Sequence, residues 1–432
     1  MNDWIPTLQN VGIPQSPNPF GGEPFGSFIA TSAINPANWT RSYSRTAYID
    51  SLPPRPNLHI LINATVTNIL FDSSLTATSV QFTNCKGGTV TTINVLKEVL
   101  LAAGAIGSPN ILMHSGVGPK DVLAAAGVDV KLDLPGVGQH LQDHIVSIVS
   151  PLSCHDTCAH LSFQSLNVVF KTTADTMGSM LDKGAASGVP FGNSSPFLSF
   201  VNSATCYANL SDLVDDPASF QQAVLNDLNN SVSNLIPSKD PGVIEGYKAL
   251  YLANAENFLL SPIGQIEVLL DATGNLGPGD QTISIQVALQ HSYSQGSIYI
   301  TTNDVFDQPS LDPQYLTHWA DVTLMRQAVW LARKIAATAP LNNALVVEVS
   351  PGLNVTSDEA IDEFVANGFM TEYHPANTLA MLPRNQGGVV DAKLKIYGLQ
   401  NVRVVDASIF PIQFAAHVRL LFAIHTRNRI GR

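Results

Sequence analysis

Charge is scarce in this chain. Asp, Glu, Lys and Arg make up 13% of its 432 residues, about half the usual share for a soluble domain. With 34 acidic against 22 basic side chains and a formal net charge of -12, the balance argues against a nucleic-acid partner. Long apolar runs are missing as well. None approaches the roughly 18 residues of a membrane span, so no span is expected, and the opening M-N-D-W-I-P-T lacks the basic and apolar regions of a signal peptide. Cysteine is too rare for a disulfide scaffold, although Cys85, Cys154, Cys158 and Cys206 allow one or two bridges. Cys154, His155, Cys158 and His160 cluster in sequence, but no second ligand pair follows, as a structural zinc site requires. No metal is expected.

Apolar residues, by contrast, make up 45% of the chain, which fills a substantial core and suits two or three domains. Six N-x-[S/T] sequons, at Asn38, Asn63, Asn193, Asn209, Asn229 and Asn354, lean towards a secreted glycoprotein.

Pro, Gly, Asn and Ser dominate the first 50 residues, which read as surface loop leading into one helix near Tyr43 to Leu52. A strand signal begins at Asn57 in N-L-H-I-L-I-N-A-T-V-T-N-I-L-F, and S-V-Q-F-T-N with K-G-G-T-V-T-T-I-N-V reads as a hairpin. K-E-V-L-L-A-A-G then forms a buried strand, followed by a glycine turn and a helix with Ser108 as N-cap and Pro109 in its first position. The middle, about 151 to 285, shows only short helical patches. Beyond it, I-S-I-Q-V-A-L-Q and G-S-I-Y-I-T-T read as strands, and an amphipathic helix follows with Asp321 as N-cap and Leu324, Ala328, Leu331 and Ile335 on one face. N-V-R-V-V-D-A-S returns to strand.

Three places carry candidate chemistry. In T-E-Y-H-P-A-N-T, His374 stands before a proline that stiffens its backbone, which suits a proton acceptor and equally a packed imidazole. The A-A-G-A turn before the helix suits a dinucleotide, or any tight strand-to-helix corner. The tail strand ends at Asp406 and leads through Gln413 to His417, as a ligand edge of an open α/β sheet does.

Taken together, these segments resemble the glucose-methanol-choline (GMC) oxidoreductases. G-A-I-G-S-P-N-I-L-M-H-S-G-V-G is similar to that family's second signature, and L-P-G-V-G-Q-H-L-Q-D-H to its next block. Y-H-P-A-N-T-L-A-M-L-P, G-G-V-V-D-A-K-L-K-I-Y-G-L and N-V-R-V-V-D-A-S-I-F-P-I-Q-F-A-A-H-V resemble its C-terminal core in order and spacing. The resemblance implies FAD as cofactor, a small alcohol as substrate, and oxygen or another electron acceptor. It makes His374 the proton-accepting histidine and His417 the second active-site residue. It further places Val66 against the adenine, Asp406 and Ala407 against the ribityl-pyrophosphate, and Val418 at the flavin ring, with Tyr373 as the aromatic neighbour of the base.

The implied fold is α/β: a partial FAD-binding domain at 51–150 and 386–432, a loop-rich segment at 1–50, and an α+β substrate domain at 151–385 on a mainly antiparallel sheet with helices. One element of the pattern is absent. No strand followed by G-x-G-x-x-G occurs, so the N-terminal βαβ unit that holds the pyrophosphate is expected to be missing, and flavin binding by this chain to be impaired. Within the family, aryl-alcohol oxidases and versicolorin B synthase-like members are the nearest in character. The alternatives are therefore a non-redox cyclase of the same family, or a non-catalytic remnant.

Overall fold

Residues 2–35, 37–38, 40–147, 167–172, 204–271 and 282–416 are described by the structure, a computed structural model. The opening segment is not all loop. W-I-P-T-L-Q-N-V places Trp4, Leu8 and Val11 on one face, and these residues form helix α1 (Trp4–Val11), ended by Gly12 at φ 108°. Only glycine adopts that left-handed conformation freely, so the helix stops there. Strand β1 (Gly26–Ile29) follows, and then the short helix α2 (Ser44–Tyr48) near the expected position.

Next come β2 (Thr65–Phe71), β3 (Ala77–Thr83) and β4 (Thr91–Asn94), a three-stranded antiparallel sheet. The strand expected from Asn57 starts only at Thr65, because Asn63 sits at φ 53° and breaks the extended run. Strand β5 (Val99–Leu101) leads into helix α3 (Gly104–His114). This helix starts four residues before the expected cap, so Ser108 and Pro109 lie inside it. Helix α4 (Lys120–Ala125) and strand β6 (Ile145–Ser147) complete the first third.

An antiparallel sheet of eight strands carries the larger core. Its remaining strands are β7 (Asn167–Thr172), β8 (Ala204–Ala208), β9 (Ile266–Asp271), β10 (Thr282–Leu289), β11 (Leu345–Ser350) and β12 (Phe369–Thr371). Their order runs β1-β8-β9-β10, after which β10 pairs β6 at one end and β7 at the other; β6 continues to β12 and β7 to β11. T-I-S-I-Q-V-A-L, nearly all buried, sits in the middle, where both faces of a strand are covered. Two strands, β1 and β6, come from outside 151–385.

Where short helical patches were expected, two long helices form: α5 (Pro217–Leu235) and α6 (Pro241–Ala253). Asp216 and Asp240 cap them with side-chain acceptors, and each has proline in its first turn, where no N–H is needed. Helix α7 (Trp319–Ala336) lays Leu324, Ala328, Leu331 and Ile335 on the large sheet, as the spacing predicts. Each such buried leucine or isoleucine contributes about 1.5–3 kcal/mol. Its N-cap is His318, not Asp321. The Asp321 carboxylate is instead buried and accepts from the Tyr293 and Ser294 N–H groups at 2.8 and 2.9 Å. Helix α8 (Asp358–Gly368) leads to β12, and β13 (Val402–Val404) pairs in parallel with β5 beside a second core.

Among the described residues no helix is long and apolar enough to cross a membrane. Cys85 and Cys206 are free thiols, while Cys154 and Cys158 lie outside the described residues.

Candidate active site

The site grows from the pairing of β6 with β12. Ile145 lies opposite Thr371, which brings His144 beside Glu372, and the Glu372 N–H donates to the His144 carbonyl at 2.9 Å. Three residues further back, Gln142 pairs not with residue 374 but with Ala376. Two extra residues are thus looped out of the second strand. A bulge of this kind re-aims side chains, and this one carries Tyr373 at φ 62° and His374.

The loop is pinned from several sides. The buried Asp143 carboxylate accepts from the His374 N–H at 2.9 Å, from the Tyr315 hydroxyl at 2.7 Å and from the Thr371 hydroxyl. Burial pushes the Asp143 carboxyl up from its ordinary range, while those donors pull it back. The Gln413 side-chain amide donates to the His374 carbonyl at 2.8 Å. On the ring itself, Nδ1 of His374 lies 3.0 Å from Nδ1 of His144, with the imidazoles nearly perpendicular. Tyr373 points outward and is largely exposed.

From His374 the chain runs alongside the end of β13. The Asn377 N–H donates to the Ala407 carbonyl at 3.2 Å and the Leu379 N–H to the Ser408 carbonyl at 2.8 Å. Asp406 closes the corner: its carboxylate accepts from the Gly104 N–H at 3.0 Å, the Ser408 N–H at 3.0 Å, and the hydroxyls of Ser108 and Ser408. It therefore serves as an internal anion at the start of α3, where the helix dipole favours negative charge. The Asp406 carboxylate is thus fully engaged by internal donors.

Val66 lies elsewhere on the same layer. With Ile69, Val80, Leu101, Ala102 and Ala103 it lines an open apolar recess of about 350 Å³ at the carboxyl end of β5. Gly104, at φ 79°, would point a Cβ into open space. His417 and Val418 fall outside the described residues. The structure thus ties the segment that follows His374 to Ala407 and Ser408, and sets Val66 by the β5 end. Asp143, His144 and Glu372 were missed as site residues, although the D-H pair closes one of the family-like blocks.

Comparison with known proteins gives the family and the fold. The N-terminal and C-terminal profiles of the GMC oxidoreductase family match residues 8–146 and 292–424, together more than half of the chain. A GMC oxidoreductase family protein of Malassezia sympodialis is 36% identical over 96% of this chain, which spans 62% of that protein's length. Pyranose dehydrogenase 3 of Leucoagaricus meleagris is 29% identical over 91% of the chain and 59% of its own length. An FAD-dependent oxidoreductase of Chaetomium thermophilum superposes with a TM-score of 0.84 at 28% identity, over 99% of this chain and 71% of that one. A fungal aryl-alcohol oxidase gives 0.83 at 26%, over 98% and 69%. With both family profiles matched in order, and the fold shared over nearly all of its residues, the chain belongs to the GMC oxidoreductase family.

Proposed function

We propose that this chain carries the substrate side, and part of the cofactor layer, of an FAD-dependent oxidoreductase that oxidises the CH–OH group of an alcohol. One observation carries the reading: His374 sits on a bulge whose main chain is fixed by Asp143 and Gln413 and whose Nδ1 is engaged by His144. When the shared hydrogen resides on His374 Nδ1, its Nε2 is an acceptor for a hydroxyl proton. His417, just past the described residues, would donate to the developing alkoxide. Bound FAD would take up the hydride from the alcohol carbon.

The residues present fit that cofactor in part. The recess lined by Val66 and the β5 end suits an apolar ring face, and the small residues from Ala102 to Ala105 let a ligand approach the backbone. No G-x-G-x-x-G occurs in the 432 residues, so the pyrophosphate cradle is not supplied by this sequence and the chain by itself holds FAD weakly. The likeness to an aryl-alcohol oxidase favours an aromatic primary alcohol as substrate, with oxygen or another acceptor to reoxidise the flavin. Exposed sequons at Asn38, Asn63, Asn229 and Asn354 support a secreted glycoprotein. The domain boundaries read from the sequence stand in this proposal, with β1 and β6 added to the substrate sheet.

Anaerobic mixing with FAD and a panel of alcohols tests it, with and without an added N-terminal fragment that bears a strand–G-x-G-x-x-G–helix unit. Alcohol-dependent bleaching of the flavin is expected when the fragment is present. Stoichiometric flavin that no primary or secondary alcohol reduces would overturn the reading.

A further inference from the structure

His144, Glu372 and His374 place three ligand-type atoms within 4.8 Å of one another, from two segments that the β6–β12 pairing clamps together. The two Nδ1 atoms are 3.0 Å apart, and the Glu372 Oε2 lies 3.8 Å from the first and 3.7 Å from the second. A tetrahedral ion with bonds of about 2.1 Å needs its ligand atoms roughly 3.4 Å apart. The three edges bracket that value. We propose that His144 Nδ1, His374 Nδ1 and the Glu372 carboxylate form a binding site for a divalent first-row transition cation of the zinc type.

The donor set decides the class of ion. Two imidazoles and one carboxylate suit zinc, cobalt, nickel or copper, whereas calcium and magnesium ask for oxygen alone. Access is from one side: the His144 side chain is sealed, while those of Glu372 and His374 keep 11% and 17% exposure. A fourth position is therefore left to water. The clamp is already built, since the Glu372 N–H bonds the His144 carbonyl and the His374 N–H bonds Asp143, so little rearrangement is needed to seat the ion.

Loading the ion changes the tautomers. Without it, the Nδ1–Nδ1 hydrogen bond requires one of the two nitrogens to carry hydrogen; with it, both Nδ1 lone pairs bind the metal and each neutral ring carries its hydrogen on Nε2. No proton is released. For His374, Nε2 becomes a donor and stops being an acceptor. The cation therefore inhibits alcohol oxidation, a corollary that rests on the function proposed above, whereas binding itself does not.

The test titrates the full chain with Co²⁺ and follows the visible absorption of four-coordinate cobalt, then displaces it with Zn²⁺. One ion per chain is expected, with Glu372→Gln and His144→Gln each weakening binding at least about tenfold, and thermal midpoints showing which variants stay folded. X-ray absorption on the zinc-loaded wild type gives a second reading that needs no variant: nitrogen and oxygen ligands without sulfur. A Cys154→Ser/Cys158→Ser variant controls for the other cysteine and histidine cluster. Absence of saturable cobalt binding, sulfur in the ligand shell, or binding lost with the cysteines and kept in Glu372→Gln would each overturn the proposal. Because no flavin enters the measurement, its failure is separate from failure of the oxidoreductase reading.

Discussion

The Thr378 hydroxyl donates to the Ala105 carbonyl at 2.6 Å. Within an α-helix that carbonyl would accept the N–H of residue 109, but Pro109 has none. Thr378, buried three residues beyond Pro375, fills the gap and ties the loop of His374 to the first turn of α3. Replacing it by valine keeps the shape and leaves the carbonyl unpaired. The expected cost is about 1–3 kcal/mol, read as a lower urea midpoint, with Thr378→Ser staying near the parent. Equal midpoints for valine and serine would show that the bond contributes nothing.

Replacing His374 separates a proton acceptor from a packing residue. In a flavin-loaded, reconstituted enzyme, His374→Ala is expected to slow flavin reduction by alcohol by about 10² to 10⁴ while substrate binding changes far less. Anaerobic stopped-flow measurement gives both numbers. Reduction at the parent rate would make His374 structural.

Flavin content tests the missing fingerprint. The purified 432-residue chain is expected to carry little FAD, because the backbone donors of a G-x-G-x-x-G turn are not in its sequence. A near-stoichiometric yellow preparation contradicts this.

Acid stability should report His291. Burial holds its imidazole down at about 4, against an ordinary 6.5, with a small opposing pull from the Gln413 main chain. The folded state therefore keeps it neutral where the unfolded chain is protonated. Its contribution is intact above pH 6.5 and is lost as pH falls towards 4, by roughly 3 kcal/mol at full extent. In His291→Phe that part of the acid limb should flatten, as measured by urea midpoints at neutral pH and near pH 4.5. Parallel limbs would rule it out.

Much of this was legible because local patterns agree with the tertiary fold. The runs I-S-I-Q-V-A-L and V-R-V became strands, and the stripe from Leu324 to Ile335 became the buried face of α7. Caps were less readable, since tertiary demand moved them. Asp321 serves the main chain of Tyr293 and Ser294, and Asp406 caps α3 from roughly 300 residues away, which lets the helix begin at Gly104 rather than Pro109. His374 was singled out by its motif. Its partners Asp143 and His144 were not, because only the register of β6 against β12 brings two distant segments together.

The parallel pair β5–β13 has a consequence for how the molecule assembles. Val99 meets Val402, so closing this contact confines a loop of roughly 300 residues at an entropic cost of about 5 kcal/mol. Only three residues pair on each strand, too few to meet that cost alone. The contact must wait until the intervening chain has folded and shortened the effective loop. During synthesis β5 therefore leaves the ribosome long before its partner exists, and its edge stays open to mispairing until residue 404 has been made.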